Sequence, residues 1–329
     1  MRLKISGRFG ALSAFCGIGM AVFIAGCAVH PPPLHPTNLK RLNSVLAEGR
    51  KAPDLLAVQK SAEAGSPSDE YNLGVFYFKG VGVPQDDAKA VELWQESADQ
   101  NYALAQYNLG LLYAQGRGVP QSYVKAAELY QRAATQGDAL AQYHLGVFYE
   151  NGRGVKLDYE RAAELYQQAA EQGIAEAQSN LGMFYTYGRG VPKNYLKAAD
   201  LYQEAADQGL AEAQYNLGFA YARGEGRHQD YTKAVEWWQK SANQGYVPAQ
   251  FNLGLAYEGG VGVTQDYLKA AELFRQAASQ GNKRAKASLK DLYQMYPTLR
   301  PEPTSAFGIL VAKAKAEAEE HTPDFIRGD

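Results

Sequence analysis

At 329 residues the chain is longer than one small domain needs, and its 46% hydrophobic and 21% charged content is that of a folded, soluble protein rather than a disordered or collagen-like one. The formal net charge of −2 sets up no strong global field, so the bulk numbers favour neither nucleic acid nor an anionic membrane surface as a partner. Five histidines, His30, His35, His144, His228 and His321, form no ligand-spaced cluster, and no metal site or cofactor is expected.

The first 26 residues read as a targeting segment. Arg2, Lys4 and Arg8 make a positive start, and residues 10–26 are apolar and small without a charge. That is the layout of a secretory signal peptide. It ends Ile24-Ala25-Gly26-Cys27, which resembles the bacterial lipobox: a branched residue, two small ones, then the cysteine that is lipidated and becomes the mature N-terminus. The thiol of Cys27 would carry the diacylglyceryl thioether. The only other cysteine, Cys16, lies inside the signal, so the mature chain is expected to form no internal disulfide. Ala28, rather than Asp, follows Cys27; by resemblance to enterobacterial sorting this implies the outer membrane. The expected location is the bacterial cell envelope, with the chain bound to a membrane through its lipid. Residues 27–53 hold the run Pro31-Pro32-Pro33-Leu34-His35-Pro36, an extended, semi-rigid tether.

From about residue 54 to 296 the chain repeats itself every 36 residues, with six full copies over about 66–281 and a half-copy at each end. One ladder of glycines is Gly74, Gly110, Gly146, Gly182, Gly218 and Gly254. A second is Gly65, Asn101, Gly137, Gly173, Gly209, Gly245 and Gly281, and a third is Gly82, Gly118, Gly154, Gly190, Gly226 and Gly262. Each copy reads as two helices. Helix A of the fifth copy spans about Ala211 to Ala222, with Ala213, Leu217, Gly218 and Tyr221 at helical spacing, and the Gly224-x-Gly226 turn breaks it. Helix B opens at Asp86, Ser122, Asp158, Asn194, Asp230 and Asp266, all residues whose side chain can cap an orphan backbone N–H. It then runs as Lys125 to Ala134 does and stops at the second ladder, where glycine or asparagine takes the left-handed conformation. The first glycine ladder is assigned a structural role, letting two helices approach closely, with Leu109, Tyr113, Leu129 and Tyr130 filling the space between layers. Residues 297–329 read as a proline-containing linker and a further helix over 307–320.

The motif Ala-x-x-x-Leu-Gly-x-x-Tyr, then Gly-x-Gly-Val, then Asp-Tyr-x-Lys-Ala-x-Glu-x-Tyr-x-x-Ala-Ala-x-Gln-Gly resembles the Sel-one-like repeat family, relatives of the tetratricopeptide repeats; Ala141 to Gly173 matches almost in full. The resemblance implies an all-α fold, a right-handed α/α superhelical solenoid of helix-turn-helix repeats that binds or scaffolds proteins. Cysteine-bridged members have been described as binding penicillin-like compounds; the repeats here hold no cysteine, so that property does not carry over.

The chemistry-bearing patterns reduce to structure. Gly80-Val81-Gly82 and its equivalents lack the Lys-Ser/Thr of a phosphate loop. Lys125 and Glu128 are a solvated helical pair with a basic–acidic counterpart in every copy, and His144, standing where five sibling copies hold Asn, reads as surface variation. No catalytic residue is assigned, and the chain is not expected to be an enzyme.

By analogy with tetratricopeptide arrays, the face of helix A opposite Leu217, Gly218 and Tyr221 lines a concave groove; in the fifth copy it carries Glu212, Tyr215, Phe219, Ala222 and Arg223. The partner-binding groove is therefore expected to comprise Tyr71, Tyr107, Tyr143, Tyr215, Phe219, Arg223 and Phe251, with the ladder Asn72, Asn108, Asn180, Asn216 and Asn252 either holding a peptide backbone or bracing neighbouring repeats. The function expected is an envelope-anchored scaffold or adaptor for a protein or peptide, with no nucleic acid and no small-molecule cofactor. The alternative is a peptidoglycan-binding or cell-wall-modifying envelope protein. The fourth copy breaks the pattern at Ser179, Thr186 and Tyr187.

Overall fold

The structure, a computed structural model, describes residues 55–301. Cys27, the signal segment, the tether and residues 302–329 lie outside the described residues. Those described form an all-α solenoid of fourteen α-helices and no strand. Among them no helix is long and apolar enough to cross a membrane.

A leading helix α1 (Leu55–Glu63) precedes the six copies. The copies pair α2 (Pro67–Lys79) with α3 (Asp87–Asp99), α4 (Ala103–Gln115) with α5 (Tyr123–Thr135), and α6 (Ala139–Asn151) with α7 (Tyr159–Glu171). Then come α8 (Ala175–Tyr187) with α9 (Tyr195–Asp207), α10 (Ala211–Arg223) with α11 (Tyr231–Asn243), and α12 (Val247–Gly259) with α13 (Tyr267–Ser279). A closing α14 (Lys283–Met295) and a short 3-10 turn, Pro297–Leu299, follow. The chain divides into two compact units: one ends at Ala213 and adds Arg223–His228, and the other comprises Gln214–Ala222 and the residues from Gln229 onward.

In the first unit consecutive helices from α1 to α9 pack on one another. Local chemistry sets the ends. Asp158 Oδ1 accepts from Arg161 N at 3.0 Å and caps α7; Asp86, Ser122 and Asn194 do the same for α3, α5 and α9. Helices B end on a left-handed residue, and Asn101, at φ 66°, is the only non-glycine with positive φ among the described residues. The ladder glycines meet rings. A Cβ on Gly146 would stand 2.8 Å from Cε1 of Tyr166, on Gly110 2.8 Å from Tyr130, and on Gly182 2.7 Å from Tyr202; Gly74 faces the indole of Trp94 in the same way. A flat ring on helix B lies over the bare backbone of helix A, and no side chain fits between them. A row of glutamines ties the two helices of a copy: Nε2 of Gln136, Gln172 and Gln208 donates to Oε1 of Gln106, Gln142 and Gln178 at 2.7, 2.8 and 2.7 Å.

The second unit repeats these devices. Asp230 and Asp266 cap α11 and α13, and Gln244 and Gln280 donate to Gln214 and Gln250 at 2.8 and 3.0 Å. Gly218 faces Trp238, and Gly254 faces Phe274, where a Cβ would lie 2.6 Å from the ring.

Candidate functional site

The aromatic row expected to line a groove is packed instead, and that expectation is corrected for most of its members. Tyr71 is 1% exposed, Tyr107 0%, and Phe219 and Phe251 are buried as well. Each lies against the helix-B ring of its own copy: Tyr71 on Trp94 at 6.0 Å, Tyr107 on Tyr130 at 5.9 Å, Phe219 on Trp238 at 5.5 Å and Phe251 on Phe274 at 5.8 Å. Tyr143 and Tyr215 are half-buried; Tyr143 meets Tyr166 at 6.0 Å, and Tyr215 meets Phe219 and Tyr246 at 4.9 and 5.3 Å. The cause is the glycine three residues on. It lets the helix-B ring sink onto helix A, and the preceding aromatic closes over the ring's edge.

Two members of the asparagine ladder brace neighbouring copies, while Asn72 is exposed and the buried Nδ2 of Asn216 has no partner among the described residues. Nδ2 of Asn108 donates to the Tyr71 hydroxyl at 2.7 Å, and Nδ2 of Asn252 to the Tyr215 hydroxyl at 3.4 Å. In both cases an asparagine holds the tyrosine 37 residues before it, in the preceding copy. Where copy three has His144 instead, the imidazole is no surface substitution. It sits among Tyr107, Tyr130 and Tyr143 at ring distances of 5.8, 5.7 and 5.0 Å. Burial lowers its pKa to about 4, against a small opposing pull from Asp138.

In copies three to five of the first unit, a group of charged and aromatic side chains at helix A and the turn after it stays accessible. Glu150, at the end of α6, accepts from the Tyr166 hydroxyl at 2.6 Å and lies 3.8 Å from Nη1 of Arg189. Arg189 stands 5.5 Å from the centre of the Tyr187 ring, and Tyr187 is 40% exposed. Arg223, at the end of α10, pairs with Glu225 at 3.9 Å, and both side chains are only partly covered. Its charge also acts on the Tyr187 hydroxyl, whose pKa burial raises.

Glu212 is half-buried in the first turn of α10, and no hydrogen bond or ion pair reaches it among the described residues. A helix start favours a carboxylate. Burial outweighs that and raises its pKa, with the Glu150 charge adding to the shift. Nearby, Thr186 Oγ1 and the Tyr202 hydroxyl are 3.0 Å apart. Ser179, 1% exposed, buries a hydroxyl without a partner among the described residues, at a position where four copies hold tyrosine.

Of the expected groove residues, this cluster therefore contains Arg223 and excludes the buried aromatics. Glu150, Tyr187, Arg189 and Glu225 were not assigned a role from sequence; the available signal was that Tyr187 departs from Lys79, Gln115, Asn151, Arg223 and Gly259 at the equivalent position. Among the described residues no three His, Cys, Asp or Glu side chains are placed to hold a metal ion.

The family model for the Sel1 repeat matches residues 67–102, 103–138, 139–174, 175–210, 211–246 and 247–282, end to end. The chain belongs to the Sel1 repeat family. Among solved structures it is similar to a protective antigen present in uropathogenic Escherichia coli strains that displays the SLR fold, at 35% identity and a TM-score of 0.71 over 81% of this chain. The match covers 57% of that antigen, so this chain spans less than two thirds of its length. It is also similar to a Sel1 repeat protein from Oxalobacter formigenes, at 29% identity and a TM-score of 0.61, over 73% of this chain and 93% of that one. No curated protein sequence matches. The Sel1 repeat fold supports the coarse reading of a protein–protein interaction scaffold.

Proposed function

We propose that this Sel1 repeat protein is an adaptor held at the bacterial envelope by a lipid on Cys27, and that it binds a peptide or protein segment on the helix-A side of copies three to five. The observation that carries the binding reading is the contrast within the first unit. Tyr71 and Tyr107 are sealed in packing, whereas Tyr187 is 40% exposed beside Arg189, with the Glu150 and Arg223 charges at hand. Glu212 adds a carboxylate that finds no cation among the described residues. An exposed aromatic amid charged groups is the make-up of an interface centre, where truncation commonly costs about 2 kcal/mol or more. The spread of single charges, with no nucleophile–base pair among them, fits binding rather than catalysis.

A photo-crosslinking residue at position 187, compared in intact cells with one at the exposed Leu268, tests the site. The expected result is one dominant protein adduct at 187 that weakens in Arg189→Ala and Glu212→Gln; equal labelling at both positions would refute it. An adduct to cell-wall glycan instead would select the peptidoglycan reading. The anchor is tested separately by palmitate labelling, which should vanish in Cys27→Ser.

A further inference from the structure

The small net charge of the chain conceals a separation of charge across the first unit. Each Gly-x-Gly turn from copy two to copy five sits on the start of the preceding helix B: Gly118 on the backbone of Asp87, Gly154 on Tyr123, Gly190 on Tyr159 and Gly226 on Tyr195. Turns and helix starts thus make one continuous edge, and rings bind it together, with Arg153 over Tyr123 and Arg189 over Tyr159, each at 6.0 Å. Along this edge residues 116–125, 152–161 and 188–197 hold eight cations against Asp158 and Glu160, a net of +6. The junctions between copies at the other ends of helices α3 to α10, residues 96–105, 132–141, 168–177 and 204–213, hold eight carboxylates against Arg132, a net of −7.

Arg117, Arg161 and Arg189 have carboxylate partners in Asp87, Glu164 and Glu150. Lys125, Lys193 and Lys197 instead lie over the rings of Tyr113, Tyr195 and Tyr185 at 5.0, 4.4 and 5.2 Å, and with Lys156 they have no ion pair among the described residues. Between these cations aliphatic side chains stand out into solvent: Val124 is 54% exposed, Leu157 48% and Leu196 59%. The copies on either side lack the combination. The turn of copy one carries Asp86 and Asp87 against Lys89, and that of copy five balances Glu225 and Asp230 with Arg227 and Lys233.

We propose that this edge, in copies two to four, docks on an anionic lipid surface. A row of uncompensated lysines neutralises headgroup phosphates, and singly standing Val124, Leu157 and Leu196 enter the headgroup layer one at a time, without needing a pocket in a partner. An acidic protein would satisfy the lysines but would leave the aliphatics without a matched cavity. The edge lies opposite in sign to the ends that carry Glu176, Asp207 and Glu212, so docking orients the first unit with those carboxylates away from the lipid. The inference goes beyond the lipid anchor and does not depend on it.

The test uses the chain from position 27 with Cys27→Ser, so that no acyl chain contributes, in co-sedimentation with vesicles of phosphatidylcholine alone or with about one third phosphatidylglycerol. Binding is expected only to the anionic vesicles and should fall with salt. Lys156→Gln, Lys193→Gln and Lys197→Gln together should weaken it by about a hundredfold, at roughly fivefold per lysine. Val124→Ser, Leu157→Ser and Leu196→Ser together should weaken it severalfold with the salt dependence retained. All six sites are solvent-facing, and a thermal melt of each variant checks the fold; the single Lys156→Glu, in an exposed turn, serves if a triple variant melts early. No binding to anionic vesicles, or binding undiminished by the lysine changes, overturns the proposal. So does binding that ignores the serine changes and is competed equally by polyglutamate, which would assign the edge to an acidic protein. Failure here leaves the Cys27 reading untouched, since palmitate labelling reports on that alone.

Discussion

The amide of Asn108 donates to the hydroxyl of Tyr71 at 2.7 Å, and both groups are buried, so helix A of one copy is fixed to helix A of the next by a polar contact inside an apolar stack. Asn108 Oδ1 has no partner among the described residues, which leaves the Nδ2 bond as the side chain's main compensation for burial. Tyr71→Phe keeps the ring against Trp94 and removes only the acceptor. Loss of a buried partner typically costs about 1–3 kcal/mol. Chemical denaturation should show a loss in that range for Tyr71→Phe and a similar one for Asn108→Leu. A non-additive double variant would show that the two report one interaction. An unchanged Tyr71→Phe would mean the contact contributes nothing net.

His144 predicts a pH dependence localised to copy three. Its folded pKa is lowered to about 4 from the ordinary histidine value of 6.5 because burial disfavours the imidazolium. Between those values the unfolded chain binds the proton and the folded chain does not. Stability therefore rises with pH through this window and is lost as pH falls from about 6.5 towards 4, by up to about 1.4 kcal/mol per pH unit. His144→Asn restores the residue of the sibling copies and should flatten the profile between pH 4 and 6.5. Identical profiles for the two proteins would show that His144 titrates normally.

The glycine ladders predict a graded series. Gly137 has φ 89° with open space where a Cβ would go, so Gly137→Ala pays only for the backbone, about 1 kcal/mol. Gly146 is in a helix, but a Cβ there stands 2.8 Å from the buried Tyr166 ring, and such overpacking costs about 1–3 kcal/mol. Gly154 combines φ 67° with a direct clash against the Tyr123 backbone, which cannot rotate away. Gly154→Ala should be the most damaging of the three in thermal melts. A reversed order would mean that the turn edge is softer than its packing suggests.

The same glycines show why the fold was legible and the site was not. A ladder at fixed spacing with a helix-capping residue at a fixed offset specifies the two-helix unit locally, as Asp158 and Gly173 do for α7. The open face of helix A has no such local signature. Tyr107 is covered by Tyr130 from its own copy and neighbours His144 from the next, so its burial depends on residues 23 and 37 positions away. Read along one helix, Tyr107 and Tyr187 both look like free aromatics; only the stack separates the buried ring from the exposed one.

Glu212 offers the sharpest test of whether stability has been yielded to binding. Burial and the Glu150 charge raise its pKa, so the folded state holds its proton more tightly than the unfolded chain does. Stability from this group is present in full below the unfolded carboxylate pKa and is lost as pH rises through the raised folded value; at neutral pH the ionised Glu212 is a net burden. Glu212→Gln removes the charge while keeping the shape, and should raise the thermal midpoint at pH 7 with a smaller gain near pH 4. Residues that destabilise a fold yet serve an interface commonly trade one for the other. The stabilised variant should accordingly lose the adduct formed at position 187, since a partner's cation would no longer find its carboxylate. A variant that is stabilised and still captures the partner in full would remove Glu212 from the interface and leave Tyr187, Arg189 and Arg223 to carry it. A variant with an unchanged midpoint at pH 7 would mean that solvent already relieves the Glu212 charge.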